Sequence, residues 1–462
     1  MSALPKQVDY ARNLSHAVRY RNLAVPLANN ASGTYVASNV SQLMQWKIPA
    51  NVVINLARST ISYTVTMKGA GAAQYNYIVD DCFQIAQSLS MVTAQGIPLA
   101  EINDCARYTR IVDKYYTRHE EFISRENTDF SYPCRTLATS NLIVPVTLLA
   151  NTYDYAAGAR VTAFVDYLEP RYFKNSTAVN TILAVTKHQC LGDLRNTLFA
   201  QDKDLYFGDG VYLNLQTAPV DTFAFSATGI LSLSATAPVP LAPDNVTVSN
   251  IILNLAVEDN LLLSQSVMAK FRSGGIQVRT DFLSSVRNVL NSSTSNVSIQ
   301  IPQNPHAKLK RIINSVYASA GTLGSAVDCQ NINGEKIETY QTIMDAQPLQ
   351  NTTLTCLMSN GSFLGNTDWR ENQRFAKGSV IQGIPMYQYN WAHIDEFSGD
   401  DAIQSGPEAT QNDDNGLTLD VARTYQLNMT TPRATNANSY AQYSFMVISK
   451  NLLLSEAGIA FV

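Results

Sequence analysis

The residues best suited to metal or acid–base chemistry are the five histidines, and no two of them have metal-binding spacing. They are His16, His119, His188, His306 and His393. His119 precedes Glu120 and Glu121, which resembles one half of a helical zinc motif, but the second histidine of that motif is missing. We therefore predict no metal ligands, no cofactor and no catalytic residues.

Two clusters of charge could still bind ions. The acidic one comprises Asp395, Glu396, Asp400, Asp401, Asp413 and Asp414, and no calcium-loop register fits it, so we interpret it as a solvated loop. The basic one, Arg370 and Arg374 after Trp369, could clamp an anion, but we interpret it as loop packing. The chain has no Gly-x-Ser-x-Gly elbow, Walker loop or Rossmann glycine fingerprint, and we predict that it is not an enzyme.

The six cysteines also lack metal spacing, since none lies in a Cys-x-x-Cys pair. Six cysteines in 462 residues would make only a sparse disulfide framework. We interpret them as buried free thiols of a reducing compartment. No apolar core follows Met1, and no apolar run approaches the ~20 residues of a membrane span, so we expect neither a signal peptide nor a transmembrane helix.

The composition indicates a surface that packs against neighbours. Only 15% of the residues are charged and the net charge is -4, whereas roughly 25% is usual in soluble domains. Polar uncharged residues, including 23 tyrosines, fill the difference. A chain this close to neutral gives no electrostatic reason to bind nucleic acid.

Hydrophobic periodicity indicates an all-β chain, most clearly between Asn39 and Gly69. Ile61, Tyr63, Val65 and Met67 alternate with Ser62, Thr64 and Thr66, the pattern of a half-buried strand. Pro49 cannot donate to a ladder, so it divides the stretch into two strands joined by a corner. Similar strands are predicted at residues 141–149, 161–167, 211–216, 251–257, 297–301, 417–421, 425–429 and 443–450.

Three helices are predicted among these strands. An amphipathic segment over residues 5–21 places Val8, Ala11 and Val18 opposite Arg12, Arg19 and Arg21. A second helix spans 98–117. The third, over 307–319, has Leu309, Ile312, Ile313, Val316 and Tyr317 in a helical stripe, with Lys308, Lys310 and Arg311 facing water. A long polar region from Gly321 to about Asp414 holds Trp369 and Trp391.

Many short strands without a βαβ rhythm favour sandwich or jelly-roll architecture. A single core stops growing at about 250–300 residues, so a chain of this length predicts two domains. The strand at Ile251–Val257 closes the first half, and Gly274-Gly275 opens a new run of strands. We predict an N-terminal arm over 1–35, a first sandwich over 36–262 and a second over 263–462.

Several segments resemble the double jelly-roll major capsid proteins of tailless icosahedral double-stranded DNA viruses, the class of tectivirus-like phages and adenoviruses. Residues 48–65 are similar to the opening of the first jelly roll and residues 250–260 to its closing strand. Residues 435–458 are similar to the final strand and tail, and residues 331–336 more weakly to the region after the helix of the second roll.

This resemblance implies two jelly-roll β-sandwiches in tandem, with short inserted helices and long loops. It implies a homotrimer acting as a pseudo-hexameric capsomer in the virion, where it meets neighbouring capsomers, penton and minor (cement) proteins and, in some viruses, an internal membrane. It implies no specific nucleic acid. The alternative is a β-sandwich carbohydrate- or receptor-binding protein, of the fibre or lectin-like kind, in which Trp369, Tyr387 and Trp391 would line a sugar site.

Overall fold

The structure is a computed structural model, and it describes the parts of the chain that form the sheets and their shorter connections. The described residues are 19–29, 35–36, 41–68, 75–78, 83, 85–116, 153–154, 159–160, 172–174, 182–208, 210–219, 224–227, 239–240, 246–290, 294–318, 339–349, 353–355, 392–398, 402–403, 416–430 and 440–461. The strands predicted at 141–149 and 161–167 lie outside them, as do residues 1–18.

Strands of the first half pair only with one another among the described residues. They are β1 (Tyr20–Val25), β2 (Tyr35–Val36), β3 (Leu43–Lys47), β4 (Ile54–Lys68), β5 (Tyr75–Ile78), β6 (Ala86–Thr93), β7 (Pro98–Asn103), β8 (Tyr153–Asp154), β9 (Ala159–Arg160), β10 (Tyr172–Lys174), β11 (Ile182–Cys190), β12 (Asp204–Leu205), β13 (Val211–Thr217), β14 (Ala224–Ala227), β15 (Val239–Pro240) and β16 (Val246–Glu258). The half also contains helix α1 (Cys105–Tyr116) and 3-10 turns at Leu191–Asp193 and Leu198–Ala200.

Helix α2 (Leu261–Ser273) leads into the second half, whose strands likewise pair only with one another where they are described. They are β17 (Ile276–Leu290), β18 (Thr294–Ile301), β19 (Asn304–Ala318), β20 (Thr339–Met344), β21 (Gln347–Pro348), β22 (Leu354–Thr355), β23 (Ala392–Ser398), β24 (Ala402–Ile403), β25 (Leu417–Leu419), β26 (Arg423–Thr430), β27 (Tyr440–Ser455) and β28 (Gly458–Phe461).

The two halves repeat one strand order. In the first half, one sheet runs β1-β16-β4-β11 and its partner runs β3-β13-β6-β7. In the second half, the corresponding sheets run β17-β27-β19-β23 and β18-β26-β20-β21, with β22 also on β20. When the main strands of each half are numbered in sequence, both halves have a sheet ordered 1-8-3-6 facing a sheet ordered 2-7-4-5. Each half is therefore a jelly roll, as the resemblance implied.

The strand order shows that the first jelly roll begins at an earlier residue than predicted. Tyr20 and Arg21, placed in a helix by the sequence analysis, lie in β1, which pairs antiparallel with β16 from Tyr20↔Glu258 to Val25↔Leu253. The arm predicted over 1–35 therefore includes the first strand of the roll. The helical spacing of the apolar residues gave a wrong prediction here, because an edge strand that packs on one side needs few apolar residues. The domain boundary near residue 263 stays a prediction.

The corner at Pro49 is confirmed. β3 belongs to one sheet of the first roll and β4 to the other, so the chain changes sheets between Lys47 and Ile54. Asn51 has a φ of 61°, a left-handed conformation that asparagine adopts more readily than most residues. Met44 and Trp46 are buried from β3, and Ile61, Tyr63 and Val65 from β4, so the two strands meet across the core.

The helix predicted over 307–319 is wrong: residues 307–318 lie in β19, a central strand between β27 and β23. Side chains are buried on both faces, with Ile312 in the core of the second roll and Ile313 in the junction with the first. A strand buried on both faces loses its alternation, and the bulge between Leu309 and Arg311 shifts the register further. Lys310 and Arg311, expected in water, are each 3% exposed.

The helix predicted over 98–117 is confirmed only over Cys105–Tyr116. Residues 98–103 form β7, and Asp104 has a φ of 53°, which an α-helix does not allow.

Helix α2 was not predicted, although Asn260 caps it by accepting from the amides of Leu262 and Leu263. The turn at Gly274-Gly275 is confirmed; Gly275 has a φ of 81°, and a Cβ there would lie 2.9 Å from Leu453.

Later predictions have mixed outcomes. The strands at 211–216, 251–257, 297–301, 425–429 and 443–450 are confirmed as parts of β13, β16, β18, β26 and β27. Val421 lies beyond β25 and is 56% exposed, so it is not in a strand. The polar region after Gly321 contains β20, β21, β22, β23 and β24. Its polar composition did not predict these strands.

Candidate functional site: the junction between the jelly rolls

The histidines and cysteines expected to be chemically inert lie apart where they are described. His188 and His306 are exposed on β11 and β19, whereas His393 is buried in β23. Cys105 and Cys190 are free thiols, and burial raises the pKa of Cys105. His16, His119, Cys82, Cys134, Cys329 and Cys356 lie outside the described residues. No three His, Cys, Asp or Glu side chains of the described part gather as a metal site would require.

The acidic cluster is not the solvated loop that its sequence suggested, where it is described. Asp395 and Glu396 are consecutive in β23, so their side chains point to opposite faces of the sheet. Asp395 is 2% exposed inside the second roll, and Glu396 faces the first roll. Asp400, Asp401, Asp413 and Asp414 lie outside the described residues, as do Trp369, Arg370, Arg374, Tyr387 and Trp391.

The two rolls meet in a packed junction that continues the core of the first roll. The outward face of the β17-β27-β19-β23 sheet belongs to the same hydrophobic cluster as the core of the first roll. Phe445 of β27 contacts Tyr108 of α1, with ring centroids 5.2 Å apart, and the Arg107 guanidinium lies 4.9 Å from the centroid of Tyr443. Aromatic and cation–π contacts of this kind add about 0.5–2 kcal/mol each beyond area burial.

A polar chain crosses the middle of this junction. Arg311 Nη1 donates to Asn196 Oδ1 at 3.1 Å, and Asn196 Nδ2 donates to the Tyr108 hydroxyl at 3.1 Å. That hydroxyl donates to the Arg195 carbonyl at 2.6 Å. Arg311 Nε also lies 3.6 Å from Glu396 Oε1. Burying a guanidinium without hydrogen-bonding partners costs free energy. This series of hydrogen bonds therefore allows few positions of one roll relative to the other.

A second buried ion pair lies on the same sheet. Lys310 Nζ is 3.1 Å from Asp281 Oδ1, and each side chain is 2% exposed. Burial lowers the pKa of Lys310, and the Asp281 carboxylate opposes part of that effect. Next to it, Gln201 of the first roll donates to the Arg279 carbonyl at 3.0 Å. The junction therefore holds two desolvated charge pairs whose partners are fixed by the strand register.

Behind the junction, the second roll contains a buried polar network at one end of its core. Asp395 accepts from the Tyr425 hydroxyl at 2.7 Å and from Thr342 at 3.2 Å, and its Oδ1 lies 2.8 Å from His393 Nε2. The network continues from Tyr425 to Asn314, whose side-chain amide donates to the Tyr425 hydroxyl at 2.6 Å. Burial, followed by the Asp395 charge, raises the pKa of Tyr425 well above its usual value.

These groups were not found from the sequence. Tyr108, Asn196 and Arg311 lie far apart in the chain, and only the jelly-roll order brings them together. Arg311 was assigned to a water-facing helix, and no local motif marks Asn196. A buried network whose charges are paired inside the fold suits fixed geometry better than turnover. No helix of the described part is long and apolar enough to cross a membrane.

Solved structures match the chain along nearly its whole length, whereas no protein-family model and no curated protein matches it. The Faustovirus major capsid protein has a TM-score of 0.54 at 9% identity and covers 95% of this chain and 91% of its own. The mavirus major capsid protein has a TM-score of 0.53 at 12% identity, covering 100% and 95%. The PBCV-1 virus capsid has a TM-score of 0.52 at 9% identity, covering 96% of each.

At such low identity the likeness shows the fold. It confirms that the chain is all-β, with two jelly-roll sandwiches in tandem, and it does so over both rolls. The matched proteins are double jelly-roll capsid proteins, which is the class that the sequence segments resemble.

Proposed function

We propose, from the double jelly-roll fold that this chain shares with those capsid proteins, that it is the major capsid protein of an icosahedral virus and acts by assembly, not by catalysis. The observation that carries the proposal is the pairing of two rolls of one strand order, held together by a buried junction. A shell needs rigid blocks, and this junction makes one block from two sandwiches.

The capsomer that follows is a trimer. Three chains with two rolls each give six similar walls around a threefold axis, so a pseudo-hexamer can tile a lattice with only threefold symmetry. The low charge of the chain supports this arrangement, because closely packed copies of a strongly charged protein would repel one another.

The same proposal includes the other virion components that this protein would contact. A shell of such capsomers requires contacts with neighbouring capsomers, and its vertices and seams would take penton and minor capsid (cement) proteins. An internal membrane would lie on the side of the capsomer facing the genome. The protein would reside in the virion after assembly inside the host cell.

Mass measured by light scattering on the purified protein tests the trimer. The expected mass is three times 50.7 kDa, stable on dilution because obligate interfaces of this kind bury well over ~2,000 Å². A monomer at micromolar concentration would contradict the proposal. Specific binding on a glycan array would instead favour the carbohydrate-binding alternative.

A further inference from the structure

The ion pair between Lys310 and Asp281 holds an amine against a carboxyl group almost out of contact with water. Lys310 Nζ lies 3.1 Å from Asp281 Oδ1 and 3.5 Å from Oδ2, and each side chain is 2% exposed. Because the nitrogen approaches both oxygens, it also lies close to the carbon that joins them. Reacting atoms held about 3–3.5 Å apart are near the separation from which a bond can form. The pair is therefore placed for a reaction as well as for electrostatic attraction.

The strand register brings the two groups together across one strand. Asp281 lies on β17 and Lys310 on β19, and β27 runs between them. Ser449 of β27 pairs with Asp281 on one side and with Lys308 on the other. Lys310 is the extra residue of the bulge in β19, and bulges commonly redirect a side chain. The bulge thus turns the amine of Lys310 toward β17, over the central strand.

The surroundings favour the neutral amine, which is the nucleophilic form. Burial lowers the pKa of Lys310, an effect that Asp281 opposes. The positive charges of Arg311 and Arg279 lower this pKa further. The same two guanidiniums would stabilise the negative charge that develops on a carboxyl oxygen during attack. Arg279 is itself held in place, since its Nε donates to Ser449 Oγ at 2.9 Å.

We infer that Lys310 and Asp281 condense into an isopeptide bond that joins β17 to β19 across β27. The ammonium first gives one proton to the carboxylate, and the lone pair of Nζ then attacks Cγ. A second proton passes from the nitrogen to the departing hydroxyl, the C–O bond breaks and water leaves. One ammonium and one carboxylate thus become one amide and one water, and the reaction needs no oxidant, reductant or cofactor.

Burial supplies a reason for the reaction to proceed. Keeping two charges out of water is costly even when they are paired, and a neutral amide removes both of them. The ion pair is the state from which the bond forms, and the released water joins the solvent. The bond would close a loop between residues 29 apart and tie the first strand of the second roll to its third. This inference goes beyond the proposed capsid role and does not depend on it.

Mass spectrometry of the purified full-length protein tests the bond, both on the denatured intact chain and on its proteolytic peptides. The test variant is Lys310→Arg, because a guanidinium keeps the positive charge but is not an acylating nucleophile at neutral pH. The matched control is Lys308→Arg, a half-buried lysine two residues away on the same strand. The two variants have the same calculated mass, so any difference between them reports the bond. Circular dichroism of each protein checks that it is folded.

The expected result is that the wild type and Lys308→Arg are each lighter by one water molecule than their sequences require. Both should release a branched peptide in which the segment containing Lys310 is joined to the segment containing Asp281. Lys310→Arg should have its full mass and yield no branched peptide. A folded wild-type chain of full mass, with the two residues recovered in separate peptides, would overturn the inference, and so would a missing water that persists in Lys310→Arg. If Lys310→Arg does not fold, the branched peptide of the wild type decides the question alone.

Discussion

At the scale of single residues, the junction between the rolls depends on charges that are paired out of water. Arg311 is held by Glu396 and Asn196, and Lys310 by Asp281. A buried pair need not stabilise a protein more than apolar residues would, but removing one partner leaves an uncompensated charge. Each ion pair therefore fixes the position of one roll element against another. Removing one partner of a pair should strongly lower the free energy of unfolding.

Replacing Glu396 with alanine should lower the free energy of unfolding by about 3 kcal/mol, because Arg311 would keep its charge and lose its carboxylate. Urea denaturation measures the change. The control is Arg21→Ala, which removes the exposed pair with Asp259 and should cost at most about 1 kcal/mol. Equal losses from the two substitutions would show that the junction charges do not act as described.

Replacing Tyr425 with phenylalanine should cost about 1.5–3 kcal/mol at neutral pH, since Asp395 would lose a donor inside the second roll. Tyr212→Phe, which removes a half-exposed hydroxyl, is the control. A loss no larger than that of the control would contradict the network.

The same residue predicts a pH dependence. The raised pKa of Tyr425 means that the folded chain keeps this proton above pH 10, where the unfolded chain releases it. Stability present below pH 10 is therefore lost as the pH rises further, by up to about 1.4 kcal/mol per pH unit. The free energy of unfolding of Tyr425→Phe should decline less steeply above pH 10 than that of the wild type. Parallel slopes would rule out this contribution.

At the scale of elements, the sequence predicted strands well where one face is buried and poorly elsewhere. β4 and β13 alternate because one side of each meets a core, and both were predicted. β19 was predicted as a helix because Ile312 and Ile313 are buried on opposite faces and erase the alternation. β20 and β23 were hidden in a polar region, since their inward polar groups belong to the buried network.

The site itself could not be predicted for a related reason. Its members come from separate elements, and their partners are decided by the strand order of the rolls. Arg311 looked like a water-facing residue because long polar side chains are usually exposed. Only the position of β19 between β27 and β23 shows that both of its faces are covered.

The first strand gives a prediction about truncation. Deleting residues 1–18 should shift the melting temperature by only a few degrees, because β1 begins at Tyr20 and remains paired with β16. Deleting residues 1–25 should prevent stable folding, since it removes strand 1 of the 1-8-3-6 sheet and uncovers Leu253 and Leu255. The melting temperatures of the two truncated proteins, measured by thermal unfolding, test this prediction. Similar melting temperatures would show that β1 is dispensable.

At the scale of the whole molecule, the two rolls should unfold together. One hydrophobic cluster contains the core of the first roll and the outward face of a sheet from the second. Separating the rolls would expose Phe445, Val447 and Ile313 to water. The proposed capsid role would require a rigid pair of rolls, because a hinge between them would change the outline of the proposed capsomer.

Calorimetry of variants in each core measures this coupling. Leu213→Ala in the first roll and Leu427→Ala in the second each remove a fully buried side chain, at a cost of about 2–5 kcal/mol. Both should lower a single unfolding transition of the full chain. Two transitions, of which each variant shifts only one, would show that the rolls are independent domains.

Electron microscopy of particles purified from the source of this sequence, with their polypeptides identified by mass spectrometry, would show whether this chain is a major capsid protein. We expect icosahedral shells built of threefold capsomers with six-sided outlines, in which this 50.7 kDa chain is the most abundant polypeptide. Particles that lack the chain, or that carry it only at vertices or fibres, would contradict a major capsid role and favour a receptor-binding protein.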